Sequence, residues 1–459
     1  MYQIDFQTPI HIYFIGIGGI SMSGLASILL SRGFRVSGSD MQTSPLTEEL
    51  TAQGAVIYYG HRAENLSDDL DLVVYTSAIH PDNPEYAAMQ SRGIPHLSRA
   101  QLLGQMMKNY EIPIAVSGTH GKTTTTSMIS QILLENDSDP TLSIGGIFPP
   151  IQGNIRIGHS GYFVTEACEY TNSFLSFFPK IGIILNIEED HMDFFQDLQE
   201  IRSSFCRFAS LLPSDGTLII NGDIDRYEEI TEGLSCRVIT YGSSPDMDYS
   251  FSEISYDSLA HPSFLLRSTS GEQEAFSLTV TGAHNVSNAA AAVALSDLLG
   301  ISRDVTRAAL LHFSGTNRRF EYKGRCQGFT IIDDYAHHPT EITCTLEAAA
   351  NYPHKTLWCL FQPHTYTRTK AFFHEFAQAL SAADKVILTD IYAARETDDL
   401  GISSRDLQKA ICDLGTECHY FSSFDDIEKF LLKNCIEDDL LITMGAGNVV
   451  KVGENLLQK

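Results

Sequence analysis

Positive charge is scarce in this sequence. Its 459 residues include 31 Lys and Arg against 57 Asp and Glu, which gives a formal net charge of -26 at pH 7. So negative a chain has no long-range field that attracts polyanions, and we therefore expect no binding to nucleic acid or to an anionic membrane surface. Anionic small molecules would need local sources of positive potential, such as helix N-termini, a few arginines or metal ions.

The sequence also lacks a Cys-x-x-Cys pattern and a long apolar run. Nine scattered cysteines, an odd number, argue against a disulfide framework and a cysteine zinc site, and they fit a reducing cytoplasm. The apolar residues 10–20 follow no basic residue and are interrupted by Gly16, Gly18 and Gly19. No uninterrupted stretch approaches the roughly 20 apolar residues of a membrane helix. We expect a soluble protein without membrane insertion.

Short apolar runs alternate with helix-like segments along the chain, and the pattern restarts three times. At about 150 residues per domain, the length also favours three domains. The alternation is typical of βαβ units, so we expect an α/β fold with a Rossmann-like N-terminal domain, a central P-loop ATPase-type α/β domain and a C-terminal Rossmann-like α/β domain. The predicted boundaries are 1–107, 108–315 and 316–459, with a hinge at the small and polar residues 314–317.

Individual elements follow from the same pattern. The irregular, serine-rich residues 243–274 are expected to form short strands on the flank of the central domain. Helices are predicted at residues 22–30, 285–298 and 369–380, and strands at residues 11–15, 34–37, 71–75, 112–116, 161–165, 180–186, 328–332, 356–361, 385–389 and 440–443.

The most specific motif is the apolar strand at 112–116, which passes through a glycine turn into a predicted helix. Such a loop cradles phosphate because glycines let successive backbone amides face one anion and the helix N-terminus adds positive potential. Val116 replaces the first glycine of the strict pattern, and an ordinary glycine turn is the weaker alternative. The nucleoside triphosphate site is predicted to comprise Gly118, Thr119, His120, Gly121, Lys122, Thr123 and Thr124.

Polar residues end two further predicted strands of the central domain, at Glu166 and near His191. The carboxyl ends of parallel strands form the binding crevice of an open α/β sheet, so both residues should face the phosphate loop. Mg2+ prefers oxygen ligands, and a second ion accepts an imidazole. We therefore predict a metal set of Thr123, Glu166 and His191, although His191 taken alone would more often be a capping or surface residue.

The N-terminal domain carries a glycine turn after its first strand. Residues 16–21 resemble a dinucleotide fingerprint in which Ser21 replaces the third glycine, and Asp40 stands about where a ribose-binding acid belongs. The pattern supports a nucleotide or a nucleotide-sugar diphosphate at the helix N-terminus. A plain glycine turn fits it about equally well, and no nicotinamide cofactor follows from it.

The C-terminal domain has two polar clusters after predicted strands, at residues 333–339 and 363–368. His337 and His338 lack a spaced cysteine or carboxylate partner, so we expect them to form hydrogen bonds rather than to bind a metal. Arg368 would clamp a carboxylate, because a guanidinium presents two parallel N–H donors.

Together these motifs resemble the Mur ligase family over essentially the whole chain. The resemblance rests on residues 15–26, 118–124, 186–193, 282–285, 319–321 and 333–341. It implies a UDP-binding first domain, a central ATPase domain and a last domain that closes to bring in the amino acid. The implied reaction is an ATP- and Mg2+-dependent ligation of L-alanine to the carboxylate of UDP-N-acetylmuramate in peptidoglycan precursor synthesis.

The resemblance also implies roles for individual residues. The implied nucleotide-sugar contacts are Gly18, Gly19, Asp40 and His61. The implied phosphate and magnesium set is Lys122, Thr123, Glu166 and His191, with Asn285, Arg319 and Asp334 as ATP contacts. The residues implied on the amino-acid side are Tyr335, His337 and Arg368. The catalytic group is then Lys122, Glu166, His191, His337 and Arg368.

Some positions depart from the family pattern. Thr365 stands where one common form has arginine, Glu169 lies in a less acidic version of its motif, and no lysine follows Asp193 as far as residue 212, where several sister ligases use a carbamylated one. A ligase for another amino acid or for a recycled peptide stays open as the alternative. A nicotinamide dehydrogenase would leave the phosphate loop without a purpose, and a nucleotide-sensing scaffold would not need the catalytic set. We expect a cytoplasmic monomer or weak homodimer.

Overall fold

A computed structural model describes residues 2–76, 78–394, 396–398 and 400–459. Three β-sheets follow one another along the chain, and helices cover each of them. The predicted α/β class with three sheet-containing domains is therefore confirmed. Among the described helices, none is long and apolar enough to cross a membrane.

The N-terminal sheet has five parallel strands in the order β3-β2-β1-β4-β5, which is the Rossmann-like arrangement. The strands β2 and β4 flank β1 on opposite sides, so the strand order reverses at β1. In such sheets the ligand crevice lies at the carboxyl end of the strand where the order reverses, which is where the glycine turn begins. The elements are β1 (His11–Ile15), α1 (Ile20–Ser31), β2 (Arg35–Asp40), α2 (Pro45–Ala52), β3 (Val56–Tyr59), a 3-10 turn (Ala63–Asn65), β4 (Leu72–Tyr75), α3 (Pro84–Arg92), β5 (His96–Ser98) and α4 (Arg99–Met107).

The central sheet has ten strands in the order β15-β14-β13-β12-β11-β10-β6-β9-β7-β8. Its middle is parallel, whereas β8, β14 and β15 pair antiparallel at the edges. The elements are β6 (Ile112–Ser117), α5 (Lys122–Glu135), β7 (Thr141–Phe148), a 3-10 turn (Pro149–Ile151), β8 (Gly153–Arg156), β9 (Tyr162–Ala167), a kinked 3-10 segment (Tyr170–Ser176), β10 (Ile181–Ile184), α6 (Leu198–Ala209), β11 (Thr217–Asn221), α7 (Glu228–Thr231), β12 (Arg237–Gly242), β13 (Tyr249–Tyr256), β14 (Pro262–Arg267), β15 (Gln273–Ser277), α8 (Ala283–Leu298) and α9 (Arg303–His312).

The C-terminal sheet has six strands in the order β16-β17-β21-β18-β19-β20, and only β16 runs antiparallel to its neighbour. The elements are β16 (Glu321–Cys326), β17 (Phe329–Asp334), α10 (Pro339–Ala350), β18 (Leu357–Phe361), α11 (Tyr366–Ala371), α12 (Phe373–Leu380), β19 (Lys385–Leu388), α13 (Ser404–Asp413), β20 (Glu417–Tyr420), α14 (Phe424–Asn434), β21 (Leu440–Met444) and α15 (Val450–Leu456).

Two local predictions can be compared with the structure. The serine-rich segment 243–274 forms β13 and β14 on the flank of the central sheet, as expected. The single helix predicted at 369–380 is wrong, because Phe372 leaves the helical region (φ -109, ψ 31) and separates α11 from α12. The hydroxyl of Thr365 accepts a hydrogen bond from the amide of Arg368, so α11 begins before the predicted residue 369. The ring of Phe372 packs edge-on against His338, where the two helices are separated.

The predicted hinge lies between the last helix of the central domain and β16. Thr316 donates a hydrogen bond to Ser127 at 3.0 Å, and the amide of Asn317 donates to the carbonyl of Ile147 at 3.1 Å. Both partners belong to the central domain, so this segment is fixed to that domain. The hinge motion and the three domain boundaries stay predictions.

Candidate active site

The phosphate loop joins β6 to α5 through residues 118–121. Gly118 (φ 142) and Gly121 (φ 83) adopt backbone angles that L-residues rarely reach, and a Cβ on Gly118 would lie 2.9 Å from Cβ of Leu185. The first turn of α5 contains no acidic side chain that would neutralise its N-terminus. The loop therefore offers the backbone and the helix-end potential that bind a phosphate group.

Lys122 is the first residue of α5 and folds back over this loop. Its ammonium group donates to the carbonyl of Thr119 at 3.0 Å and to Oε2 of Glu169 at 3.0 Å. Burial lowers the pKa of Lys122, but Glu169, Cys168 and Glu166 together outweigh burial and raise the pKa above its ordinary value. Lys122 is therefore a cation at neutral pH. Glu169, which is only 2% exposed, was not among the predicted site residues.

Two of the three predicted metal ligands are in direct contact. The hydroxyl of Thr123 donates to Oε2 of Glu166 at 3.1 Å, and the amide of Gly145 donates to the other carboxylate oxygen. Burial raises the pKa of Glu166, and these two donors together with Lys122 oppose the rise. A hydroxyl and a carboxylate are hard oxygen donors of the kind that Mg2+ prefers.

His191 joins this group through Glu169 instead of through Glu166. Its Nε2 lies 3.7 Å from Oε1 of Glu169 and 3.8 Å from Oδ2 of Asp190. The ring stacks on Tyr170 with centroids 4.5 Å apart, and the backbone has a positive φ of 55°. Burial lowers the pKa of His191, more than the two carboxylates raise it. The imidazole is therefore neutral at pH 7 and keeps a lone pair for a metal ion or a proton.

A cavity of about 680 Å³ lies between the phosphate loop and the C-terminal domain. Residues from both domains line it, including His120, Gly121, Thr124, Asn285, Asn288, Arg319, Asp334 and Glu341. The structure thus brings the three predicted ATP contacts, Asn285, Arg319 and Asp334, to the same cavity as the phosphate loop. Burial raises the pKa of Asp334 to about 6, although the amides of Phe320 and Ala336 donate to it at 2.7 Å.

A second cavity of about 500 Å³ contains His191 and Arg368, together with Tyr170, Asp190, His364 and Thr365. The Nη2 and Nε atoms of Arg368 lie 2.9 and 3.2 Å from Oδ1 of Asp190, and Nη1 lies 3.3 Å from Nδ1 of His364. A guanidinium has five N–H donors, so two remain for a further acceptor. Arg368 therefore bridges the central and C-terminal domains and still has the capacity to bind a carboxylate.

Tyr335 and His337 follow β17 and lie between the two groups. The ring of Tyr335 is covered by the guanidinium groups of Arg318 and Arg319, at 4.9 and 5.3 Å. Nδ1 of His337 lies 3.0 Å from the carbonyl oxygen of Tyr335. A carbonyl oxygen only accepts, so Nδ1 carries the proton. Burial lowers the pKa of His337 to about 4, which makes this histidine neutral at physiological pH.

His120, Glu188 and His338 have ligand atoms within 4.8 Å of one another, a spacing that suits a metal ion. Both nitrogens of His338 are already used, however, because Nε2 binds the carbonyl of Glu189 and Nδ1 accepts the amide of Thr340. Burial lowers the pKa of His120, but Glu188 and Glu341 outweigh burial and raise it to about 9. A protonated His120 therefore accounts for the cluster as an ion pair between domains, in agreement with the hydrogen-bonding role expected for His338.

The predicted nucleotide-sugar residues lie at the carboxyl ends of three neighbouring strands, β1, β2 and β3. The amide of Gly18 donates to Oδ2 of Asp40 at 2.9 Å, and Gly19 precedes α1. His61 lies close by, with Nδ1 2.9 Å from the buried carboxylate of Glu85. Arg99, which was not predicted, donates to Ser21 at 3.0 Å and supplies a positive charge beside the glycine turn. A lone arginine at a helix start carries no sequence pattern that would have identified it.

The fold and site define a three-domain α/β protein with a cavity beside a phosphate loop, lined by residues of its central and C-terminal domains. Family models match all three parts: the Mur ligase family, catalytic domain, at residues 11–111; the Mur ligase middle domain at 116–296; and the Mur ligase, glutamate ligase domain, at 318–447. The chain belongs to the Mur ligase family.

Relatives and solved structures agree with this assignment. The chain is 59% identical to a UDP-N-acetylmuramate--L-alanine ligase of Lachnospira eligens and 58% identical to that of Agathobacter rectalis, over the full length of each chain. Its structure is similar to that of a UDP-N-acetylmuramate-alanine ligase from Thermotoga maritima, with a TM-score of 0.81, 29% identity and 98% of each chain covered. A murein peptide ligase from Psychrobacter arcticus gives a TM-score of 0.71 with 27% identity and the same coverage.

Proposed function

We propose that this protein is an ATP-dependent ligase that forms an amide bond between the lactyl carboxylate of UDP-N-acetylmuramate and L-alanine, through an acyl phosphate, in peptidoglycan precursor synthesis. The observation that carries the proposal is that the phosphate loop lines one cavity and is linked to a second through Glu169, which contacts both Lys122 and His191. One cavity holds the predicted ATP contacts, and the other holds the carboxylate-binding Arg368 beside His191. Full-length identity of 59% to an alanine ligase supports the choice of substrates.

The chemistry explains why these groups are needed. A carboxylate is a poor electrophile, so its oxygen first attacks the γ-phosphorus of ATP, which forms an acyl phosphate and releases ADP. The amine of L-alanine then attacks the acyl carbon, and the tetrahedral intermediate expels phosphate. Two anions meet in the first step, so Lys122 and the amides of the phosphate loop act mainly by neutralising and positioning them.

The other residues have corresponding roles in the proposal. Gly18, Gly19, Asp40 and His61 bind the nucleotide sugar, and Asn285, Arg319 and Asp334 contact ATP. Thr123 and Glu166, with His191 nearby, have the donor set to hold Mg2+, which would neutralise phosphate charge. Arg368 binds the alanine carboxylate with its two remaining donors, and the neutral His337 orients the incoming ammonium or accepts its proton.

A ligase that adds another amino acid or a recycled peptide is the alternative within the family. Its support is the similarity to a murein peptide ligase, at 27% identity. The similarity to alanine ligases is much higher, so the alternative is not favoured.

Phosphate release tests the proposal directly. The purified protein would receive ATP, Mg2+ and UDP-N-acetylmuramate, with L-alanine, glycine, L-serine, D-glutamate or the tripeptide in separate reactions. We expect release that depends on L-alanine, with glycine and L-serine slower. Release with only D-glutamate or only the tripeptide would keep the fold and mechanism but assign the protein to another ligation step, and the absence of release with every acceptor would refute the ligase function.

We also propose a cytoplasmic location and a monomer or weak homodimer. The nine cysteines without a disulfide are compatible with a reducing compartment. Light scattering after size-exclusion chromatography, at several protein concentrations, tests the oligomeric state: a mass near 50.8 kDa that rises only at high concentration is expected.

A further inference from the structure

Glu341 lies in the first turn of α10, and its side chain is partly buried, with 14% exposed. Its two oxygens face different parts of the site. Oε1 lies 3.2 Å from Nδ1 of His120 in the phosphate loop. Oε2 accepts the amide of His337 at 3.1 Å and lies 3.3 Å from Nδ1 of the same residue. One carboxylate thus contacts the nucleotide side and the proposed amino-acid side at once.

We propose that Glu341 is a positioning residue that couples the nucleotide cavity to the amino-acid side of the site by holding His120 and His337 with one carboxylate. The inference rests on the proposed ligase function and adds a residue that none of the predicted roles included.

The contact with His337 fixes which nitrogen of this ring is a base. Nδ1 is protonated because it donates to the carbonyl of Tyr335, and Oε2 of Glu341 lies beside the same N–H. The lone pair is therefore on Nε2. A carboxylate next to Nδ1 stabilises the imidazolium that forms when Nε2 takes a proton, as in a histidine-carboxylate pair of a hydrolase. The ring of His337 packs against His364, which lines the second cavity.

The contact with His120 connects Glu341 to the phosphate loop and the first cavity. Nδ1 of His120 faces Glu341, and Nε2 lies 3.6 Å from Oε2 of Glu188, so both ring nitrogens face carboxylates. The other titratable groups around this ring are His338, with centroids 4.7 Å apart, and His284. Arg319 lies 3.8 Å from Oε1 of Glu341. Because His120 and Arg319 both line the nucleotide cavity, a nucleotide that orders them acts on the carboxylate that holds His337.

A role in stabilising the start of α10 explains the position of the Glu341 carboxylate less well than the positioning role does. An acidic residue in the first turn of a helix favours the helix dipole, but the side chain of His338 already caps α10 by accepting the amide of Thr340. Burial raises the pKa of Glu341, yet His337, His120 and Arg319 outweigh burial and hold the pKa well below its ordinary value. Glu341 is therefore a partly buried anion, and His120, His337 and Arg319, which hold its charge, all belong to the predicted site.

The test is Glu341→Gln, which keeps the side-chain size and removes the charge. Compared with the wild type at pH 7.5, we expect kcat/KM for L-alanine to fall roughly tenfold or more, and KM for both L-alanine and ATP to rise. KM for UDP-N-acetylmuramate should stay within about twofold, because that substrate binds the N-terminal domain. The alkaline limb of the pH profile should move down by about one pH unit, since His120 loses one of its two carboxylates.

The control is Glu347→Gln, an exposed glutamate on the same helix, which should behave as the wild type. Unchanged KM values and an unshifted alkaline limb in Glu341→Gln would overturn the proposal, even if kcat or thermal stability fell. If the glutamine variant is unstable, the same KM values and pH profile are measured for Glu341→Asp. This variant keeps the charge, but its shorter side chain cannot contact both His120 and His337. Failure of the wild type to release phosphate with any of the acceptors would refute the ligase function, a separate outcome.

Discussion

The ammonium nitrogen of Lys122 lies 3.0 Å from Oε2 of Glu169, and the other oxygen of Glu169 lies 3.7 Å from Nε2 of His191. Glu169 therefore connects the phosphate-loop lysine with the histidine of the second cavity. A triphosphate in the loop would compete with Glu169 for Lys122, because both are anions that bind the same ammonium group. Glu169 thus orients two groups on which the proposed phosphoryl transfer depends.

Glu169→Gln should reduce kcat by about 10- to 100-fold, the usual effect of removing a charged partner behind a metal or phosphate ligand. The amide still fills the space but no longer orients Lys122 and His191. Phosphate release at several ATP and Mg2+ concentrations measures the effect. The exposed Glu232→Gln serves as control. Full activity in Glu169→Gln would mean that Lys122 is oriented by the loop carbonyls alone.

Arg368→Lys should raise KM for L-alanine roughly tenfold, because lysine keeps the charge but loses the planar donors. The guanidinium is 11% exposed and bonds Asp190 through two nitrogens, so a single ammonium cannot hold Asp190 and the substrate carboxylate together. Steady-state kinetics with varied L-alanine measure the change. Arg405→Lys, an exposed arginine of the same domain, is the control. A normal KM for L-alanine would exclude Arg368 as the carboxylate ligand.

The ion pair of His120 predicts a pH-dependent stability. Its folded-state pKa of about 9 lies above the ordinary value of 6.5, so between these values the folded state binds more protons and the free energy of unfolding falls as pH rises. The stabilisation is complete below pH 6.5 and is lost as pH rises through about 9.

Glu188→Gln isolates this contribution, since it removes one of the two carboxylates that face His120. The variant should be less stable than the wild type by up to about 1 kcal/mol at pH 6.5, because the pair is partly solvent-screened, and the difference should shrink as pH rises through about 9. Thermal or denaturant unfolding across this range, with Glu347→Gln alongside, measures it. A difference that is independent of pH would show that His120 is not the titrating partner.

Gly104→Ala should destabilise the protein by about 1–3 kcal/mol. A Cβ at this position of α4 would lie 1.8 Å from the carbonyl oxygen of Ser176, so the N-terminal and central domains would have to move apart. Gly153→Ala is a matched control, because its nearest neighbouring atom would be 3.8 Å away. Denaturant unfolding compares the two variants. Equal stability of the two variants would indicate that α4 and residues 170–176 can separate to admit the methyl group at little cost in free energy.

The sequence by itself determined the α/β class, the positions of ten of the 21 strands that the structure describes and the phosphate loop. These features depend on local chemistry: apolar runs set the buried strands, and positive φ angles require Gly118 and Gly121. The contact between Thr123 and Glu166 also follows from the sequence, because the carboxyl ends of neighbouring parallel strands lie at one edge of a sheet. The break at Phe372 was not, since it depends on packing against His338.

Only the tertiary structure decided how the charged groups are paired. Glu169 and Lys122 are 47 positions apart, Arg368 and Asp190 are 178 apart, and Glu341 and His120 are 221 apart. No local pattern specifies such pairs, because each depends on how loops or domains pack against one another. A buried charge is stable only with a partner, and these partners decide that Lys122 and His120 are cations while His337 is neutral.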